Sequence, residues 1–285
     1  MIDKNNPPKQ CLPKIYNLEL IEKIKEDYLI NKLGTEEIVK KYKTSLNTLN
    51  RNLKYYNIPL REKYKNSNPS HRRLILNNNF LNYDNKEVQY WLGFLCADGS
   101  IYQDRLALGL AKKDEDALIK FNTFLGNKLT IKNVIHHKKY PQVKLQFRNK
   151  EVISTLDSYG ITNNKSITLD YKLPITWDFL RGVIDGDGCI SYTEKRIRIE
   201  LVSGSELFIN KISKFLNDNN ITHGLYKLNR KNTIYNIQVF KLSSIENLLI
   251  KLYTNADIYL NRKYQNAVKI RNYFDNKRLN SGNQH

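Results

Sequence analysis

Between residues 17 and 56 apolar side chains recur at helical spacing in three short bursts. Leu18, Leu20, Ile21, Ile24 and Tyr28 form one stripe, which predicts a helix from Asn17 to about Leu29, followed by a connection that ends at Gly34. Thr35 is the expected cap of a second helix through Tyr42, with Glu36 and Glu37 in its first turn and Ile38 facing inward. Ser45 caps a third, with Leu46, Leu49 and Leu53 on one face, and Pro59 stops the pattern. Residues 64–86 hold no periodicity, are rich in Asn, Ser and Pro, include the basic run His71-Arg72-Arg73, and read as a linker.

From Trp91 onward the chain repeats itself. WLGFLCADGSI at 91–101 matches LRGVIDGDGCI at 180–190, an offset of 89. Leu108 and Leu110 fall on Ile197 and Ile199 at that offset, and FNTFLGN at 121–127 falls on ISKFLND at 212–218 at an offset of 91. Each copy reads helix, hairpin, helix, hairpin, helix. The expected fold class is α+β, a pseudo-two-fold duplicated αββαββα arrangement over residues 87–175 and 176–285, preceded by an all-α module over 1–63.

The hairpin strands have one apolar and one polar face. Val143, Leu145 and Phe147 alternate with Gln142, Lys144, Gln146 and Arg148. In the second copy Ile197, Ile199 and Leu201 alternate with Arg196, Arg198 and Glu200, and Ile237 and Val239 with Asn236 and Gln238. Arg and Lys suit guanine, and Asn and Gln suit adenine, in a major groove. Composition points the same way: 47 Lys and Arg against 28 acidic residues leave a net charge of +19, the footprint of a polyanionic partner such as double-stranded DNA. A solvated basic surface is the bland alternative. Cys11, Cys96 and Cys189 form no CxxC or Cys/His cluster, so neither a disulfide framework nor a zinc site is expected and a reducing compartment fits. With no long apolar run and no secretory leader pattern, neither a membrane span nor secretion is expected.

Each copy of the repeated motif ends in Asp-Gly after small residues four apart, Gly93 and Ala97 in one, Gly182 and Gly186 in the other. That spacing puts the small residues on one helix face and lets two backbones approach closely. Asp98 and Asp187 would then lie together at two helix C-termini, with Gly99 and Gly188 as left-handed residues that end the helices. Two carboxylates at the negative ends of two helix dipoles repel, and divalent cations resolve the repulsion. Oxygen donors without Cys or His favour Mg²⁺, whose usual substrate in a basic protein is a phosphodiester.

With these residues, the two motifs resemble those of LAGLIDADG homing endonucleases, LRGVIDGDG closely and WLGFLCADG more loosely, over roughly residues 87–272. The resemblance implies a saddle-shaped, monomeric site-specific double-strand endonuclease, cutting across the minor groove to leave 3′ overhangs, in a bacterial or phage-infected cytoplasm or an organellar matrix. It implies Asp98 and Asp187 as metal ligands, assisted by the carbonyls of Ala97 and Gly186, and it places Cys96 where the family usually has the acid that Asp185 retains. A basic residue just before the last helix of each repeat is implied too. GITNNKSITL and IYLNRKYQNA supply Lys165 and Lys263, which would stabilise the phosphorane, position the attacking water or clamp a phosphate, with Arg262 competing with Lys263. Rival readings on this fold are a catalytically silent DNA-binding regulator and an RNA maturase that aids intron splicing. An intein and a nuclease with a His general base are not expected.

The segment GTEEIVKKYKTSLNTLNRNLKYYNIPLREK resembles the helix-turn-helix of resolvases, transposases and repressors. That geometry turns Asn47, Thr48, Asn50, Arg51 and Lys54 toward a major groove, unless the helices form a small bundle for protein contacts.

Overall fold

The structure is a computed structural model that describes residues 17–31, 33–59, 78–127, 129–136, 140–193, 196–229 and 233–282. It divides into two compact units, Met1–Ile75 and Leu76–His285.

The first unit contains α1 (Leu18–Leu29), α2 (Thr35–Lys41) and α3 (Leu46–Tyr55), closed around Ile21, Ile24, Tyr28, Ile38, Leu49, Leu53 and Ile58. Asn17 and Ser45 cap α1 and α3, their side chains accepting from the amides of Leu20 and Thr48 at 3.1 Å. The cap of α2 is Gly34, not Thr35: the Glu37 carboxylate accepts from the Gly34 amide at 2.6 Å, which places Thr35 inside the first turn. Leu18 and Leu46, expected on the inner stripes, are 69% and 49% exposed. Each is the first residue of its helix, and helical side chains lean toward the N-terminus, so these two project past the helix end.

Asp27 is buried in this unit, its carboxylate accepting from Lys41 Nζ and the Tyr42 hydroxyl at 2.6 Å each and from Asn31 Nδ2 at 3.0 Å. These donors hold its pKa at about 2. A depressed folded-state pKa stabilises above the unfolded value of about 4 and ceases to do so as pH falls toward 2. Amide protection of α1–α3 should therefore fall as pH drops from about 4 to 2, and Asp27→Ala should lower it by about 2–3 kcal/mol already at neutral pH. Hydrogen exchange by mass spectrometry measures both; protection indifferent to the substitution would contradict the account.

The second unit holds two copies of one topology. The first runs α4 (Lys86–Asp98), β1 (Gly99–Tyr102), β2 (Arg105–Ala111), α5 (Glu115–Phe124), β3 (Lys132–His136), β4 (Tyr140–Arg148), α6 (Lys150–Ser158) and a short α7 (Lys165–Thr168). The second runs α8 (Trp177–Gly186), β5 (Cys189–Thr193), β6 (Arg196–Ser203), α9 (Glu206–Asp218), β7 (Gly224–Asn229), β8 (Thr233–Val239), α10 (Leu242–Tyr253) and α11 (Asn261–Gly282). Both antiparallel sheets share one strand order, β1-β2-β4-β3 and β5-β6-β8-β7. The mixed α and β fold and its duplication agree with the sequence reading, and one continuous apolar core joins the copies through α4 and α8.

Two details differ. Ile101 pairs with Leu106 and Ile190 with Ile199, so Ile199 is the counterpart of Leu106, and neither Leu108 nor Leu110 matches its expected partner. The second hairpin is longer, and an offset carried through a hairpin cannot register its length. The segment assigned to a linker also ends early. Residues 64–77 lie outside the described residues, but Phe80 is fully buried, its carbonyl accepts from the Tyr159 hydroxyl at 3.0 Å, and Asn79 Nδ2 donates to the Phe124 carbonyl at 2.5 Å. Among the described residues no helix is long and apolar enough to cross a membrane.

Candidate functional site

The site is built on the contact between α4 and α8. A Cβ on Gly93 would overlap the Phe179 carbonyl, one on Gly182 the Tyr90 carbonyl, and one on Gly186 the Cβ of Ala97. The two backbones therefore touch along the face that carries the small residues. Asp98 closes α4, and Asp187 directly follows the last turn of α8.

The glycines that follow work differently from the expectation. Gly99 has φ −66° and ψ 144°, an extended conformation, and Gly188 is not among the described glycines with positive φ. Neither is a left-handed cap. Their requirement is steric, since a Cβ would stand 2.6 Å from the Leu95 carbonyl oxygen at Gly99 and 2.7 Å from Ile184 Cα at Gly188. The chain turns from helix into β1 or β5 so tightly that only hydrogen fits.

Asp98 is half-buried and its pKa is pushed up to about 6, by burial first and then by the charge of Asp187, with Lys263 and Lys165 pulling it down. Asp187 is more open to solvent, yet surrounding protein still raises its pKa against the pull of the same two lysines. The four charged groups proposed from the sequence thus converge on one place, although among the described residues neither lysine forms an ion pair with either aspartate.

The lysine nitrogens are instead bound to helix ends. Lys165 Nζ donates to the carbonyls of Cys96 at 2.7 Å and Ala97 at 2.5 Å. Lys263 Nζ donates to those of Ile184 and Asp185 at 2.6 Å each and Gly186 at 3.0 Å. Apart from that of Ile184, which also accepts from the Gly188 amide at 3.0 Å, these are carbonyls that a helix C-terminus leaves without amide partners, at the negative end of its dipole. Burial lowers the pKa of both lysines. The carbonyls of Ala97 and Gly186, named above as assisting metal donors, thus already accept ammonium hydrogens. Lys165 opens α7 and Lys263 lies in the first turn of α11, the last helix of each copy, so each stands at the start of that helix and not before it. Arg262 does not compete: its guanidinium pairs with Asp114 at 3.1 Å.

Sequence reasoning missed the groups that hold these lysines. Asp185, 1% exposed, accepts from the Leu260 amide at 2.7 Å and the Tyr90 hydroxyl at 3.0 Å. Arg181, also buried, donates to the carbonyls of Ile258 and Leu252 at 2.8 Å each. Lys120 on α5 donates to the Tyr259 carbonyl at 3.1 Å, and its repeat counterpart Lys211 on α9 donates to the Tyr171 carbonyl at 2.7 Å. Each copy thus grips the segment that carries the other copy's lysine. The offset of 91 that relates Lys120 to Lys211 is a signal the sequence contained.

On the first sheet Lys144, Gln146 and Arg148 are exposed and Gln142 half-buried, all on the face away from Val143, Leu145 and Phe147. On the second, Arg196 is exposed, Arg198 is half-buried and paired with Glu200 at 3.1 Å, and Gln238 is half-buried. Asn236 departs from the expected open face: it is 8% exposed, lies between Val202 and Tyr226 on the neighbouring strands, and its Oδ1 has no partner. A central strand position lets larger neighbours cover a short side chain. In the first unit Asn47, Asn50 and Lys54 are exposed and Arg51 half-buried, while the Thr48 hydroxyl lies 2.9 Å from Ser45 Oγ in the cap of α3.

The family model described as a LAGLIDADG-like domain matches residues 177–253. Two solved structures share the fold: I-SmaMI bound to uncleaved DNA target in the presence of calcium ions (14% identity, 68% of this chain and 92% of that one, TM-score 0.51), and the I-SmaMI LAGLIDADG homing endonuclease bound to cleaved DNA (14% identity, 68% and 91%, TM-score 0.50). No curated protein matches the sequence. The chain carries a LAGLIDADG-like domain in its second repeat and has the fold of LAGLIDADG homing endonucleases.

Proposed function

We propose that the protein is a site-specific DNA endonuclease that hydrolyses one phosphodiester in each strand and leaves 3′ overhangs. The observation that carries this reading is the meeting of Asp98, Asp187, Lys165 and Lys263 at the paired helix ends, in a fold shared with DNA-cleaving proteins. Asp98 and Asp187 would hold the divalent cation, Mg²⁺ by the chemistry of the donors: two carboxylates and no Cys or His ligand suit an ion that keeps water in its remaining positions. Such an ion supplies positive charge where the phosphate gains negative charge. Water adds to phosphorus as one P–O ester bond breaks, and the proton lost by the water is balanced by the one gained at the leaving oxygen. The lysines offset the repulsion between the carboxylates, and the polar faces of both sheets, with Gln142, Lys144, Gln146, Arg148, Arg196, Arg198 and Gln238, contact the DNA.

Cleavage of a randomised double-stranded DNA library in Mg²⁺, with sequencing of the ends, tests the reading and yields the target. A recovered site cut on both strands supports it; sequence-selective binding without any cut, in Mg²⁺ or Mn²⁺, would instead favour the silent regulator. Both motif helices belong to one chain, so the free protein should sediment as a monomer, and a dimer whose dissociation abolishes cleavage would contradict this.

The first unit extends the recognised site in this reading, with α3 as the helix that enters the major groove. A truncated chain starting at Leu76, which keeps the buried Phe80, should cut a minimal site but bind the full site less tightly and with a shallower salt dependence. Arg51→Ala should cost about 1–3 kcal/mol at flanking positions if it reads a base, or weaken all sequences alike if it holds only phosphate. An unchanged footprint and salt slope after truncation would make the unit a protein-contact bundle.

A further inference from the structure

The two sheets carry unlike chemistry at equivalent places. Ile101 pairs with Leu106 and Ile190 with Ile199, and across the next ladder Leu106 faces Phe147 and Ile199 faces Val239, which fixes the correspondence between the copies. Three residues farther along, a row crosses three strands on the face of each sheet turned away from the core. In the first copy it is Gly109, Lys144 and Lys132, all exposed. In the second it is Val202, Asn236 and Tyr226. The first row presents two ammonium donors. The second presents two apolar side chains, 41% and 43% exposed, on either side of a covered amide whose Oδ1 has no partner among the described residues.

The apolar row is not isolated. Ile234 and Leu228, half-buried and paired with each other, continue it on the same face. Tyr226 leans the other way along its own strand: a Cβ on Gly224 would overlap its hydroxyl oxygen and stand 2.6 Å from two of its ring carbons, so the ring lies back on the sheet over a glycine. There the patch meets Gln238 and Glu200, the latter paired with Arg198 at 3.1 Å. Apolar side chains grouped on an exposed sheet face mark a contact surface. Its occupant must also suit a face that carries Arg196, Arg198 and Gln238, in a chain of net charge +19. A polyanion that sets apolar groups among polar edges is duplex DNA, whose major groove displays the 5-methyl group of thymine.

We propose that the second sheet reads thymine methyl groups in one half of the target, through Val202 and Tyr226 with Leu228 and Ile234 extending the patch, while Lys132 and Lys144 at the equivalent row of the first sheet read guanine O6 and N7 in the other half. This inference rests on the DNA contact in the reading above and not on cleavage. The covered Asn236 amide leaves the second row with shape and methyl burial as its means of selection, where the first row has hydrogen bonds.

The test uses the full-length chain and the duplex that it enriches from a randomised library by binding in EDTA. Replacing thymine by uracil, one position at a time, removes the methyl group and leaves every hydrogen-bonding edge in place. Uracil should weaken binding by about 3–5-fold at each of two or more thymines in one half of the site, the loss expected for one buried methyl group, as read by fluorescence anisotropy. Val202→Ala combined with Tyr226→Ala should weaken binding of the thymine duplex by about tenfold, abolish the uracil effect and keep the salt slope, because neither residue is charged. Lys144→Ala should keep the uracil effect and relax the preference for guanine in the other half. Val202 and Tyr226 are both exposed, so their truncation leaves the core intact. Uracil without effect at every thymine, an undiminished uracil effect in the double variant, or its loss in Lys144→Ala would overturn the proposal. So would a double variant that binds DNA as wild type does but no longer sediments as a wild-type dimer, which would make the patch a face for a second copy. A duplex that is bound in EDTA and never cut in Mg²⁺ removes the endonuclease reading alone, and the uracil scan still decides. A library with no enriched duplex overturns both.

Discussion

Asp98→Asn and Asp187→Asn should each abolish double-strand cleavage, by at least about 10³-fold on the strand that needs the lost carboxylate, while DNA affinity changes only a few-fold. The substitutions remove one negative charge each from a surface that must accept a polyanion, so weaker binding is not expected. Stability supplies a further signature. Burial and the Asp187 charge push the Asp98 pKa up to about 6, above the unfolded value of about 4. A raised carboxylate pKa means that ionisation strains the folded state: the cost is present at neutral pH and is relieved as pH falls through about 6 toward 4. In EDTA at pH 7, Asp98→Asn should consequently leave Tm unchanged or raise it by about 2–4 °C for each kcal/mol relieved, and the gain should vanish near pH 4. A group kept where it destabilises the fold is one retained for chemistry. Plasmid cleavage, fluorescence anisotropy with labelled duplex and thermal scans measure the three quantities. Full cleavage by both variants would remove the aspartates from the mechanism; a drop in Tm for Asp98→Asn would overturn the electrostatic account alone.

Gly182→Val should be the most destabilising single substitution in the second unit, at about 4 kcal/mol or more. Its Cβ would overlap the Tyr90 carbonyl and stand 2.8 Å from the Phe94 amide nitrogen. Backbone cannot rotate away as a side chain does, so α4 and α8 must separate. Separation also breaks the Tyr90–Asp185 hydrogen bond, which spans the two helices inside the core. Gly93→Val should behave alike against the Phe179 carbonyl. Gly109→Ala is the contrast, because its Cβ would meet only the Val143 carbonyl oxygen, at 3.9 Å, and stability should change by less than about 1 kcal/mol. Urea unfolding followed by fluorescence of Trp91 and Trp177, both in the second unit, isolates the transition of interest. Equal effects of Gly182→Val and Gly109→Ala would show that the close approach of α4 and α8 contributes little to stability.

What the chain determines by itself here is whatever is written in short-range pattern. Period-3.6 stripes and capping residues placed α1–α3, with errors at Leu18 and Leu46, whose side chains overhang the helix end, and at the cap of α2, which is Gly34. Two-residue alternation placed β4 and β6, and self-similarity at an offset of 89 placed the twin Asp-Gly motifs and the small residues that let their helices touch. The tertiary structure alone decided what depends on distant partners. Asp185 reads in sequence as one more acid in a motif, and its role follows from the Leu260 amide 75 positions away. Asn236 has the pattern of an outward strand residue, yet neighbouring strands cover it. Lys165 and Lys263 are indistinguishable as lysines near motif ends; how many carbonyls converge on each ammonium group depends on how its segment folds back on the motif helix of its own copy, 68 to 69 or 77 to 79 positions earlier. Periodicity records which face a residue takes on its own element, whereas burial and charge environment are properties of the assembled core, which no local window contains.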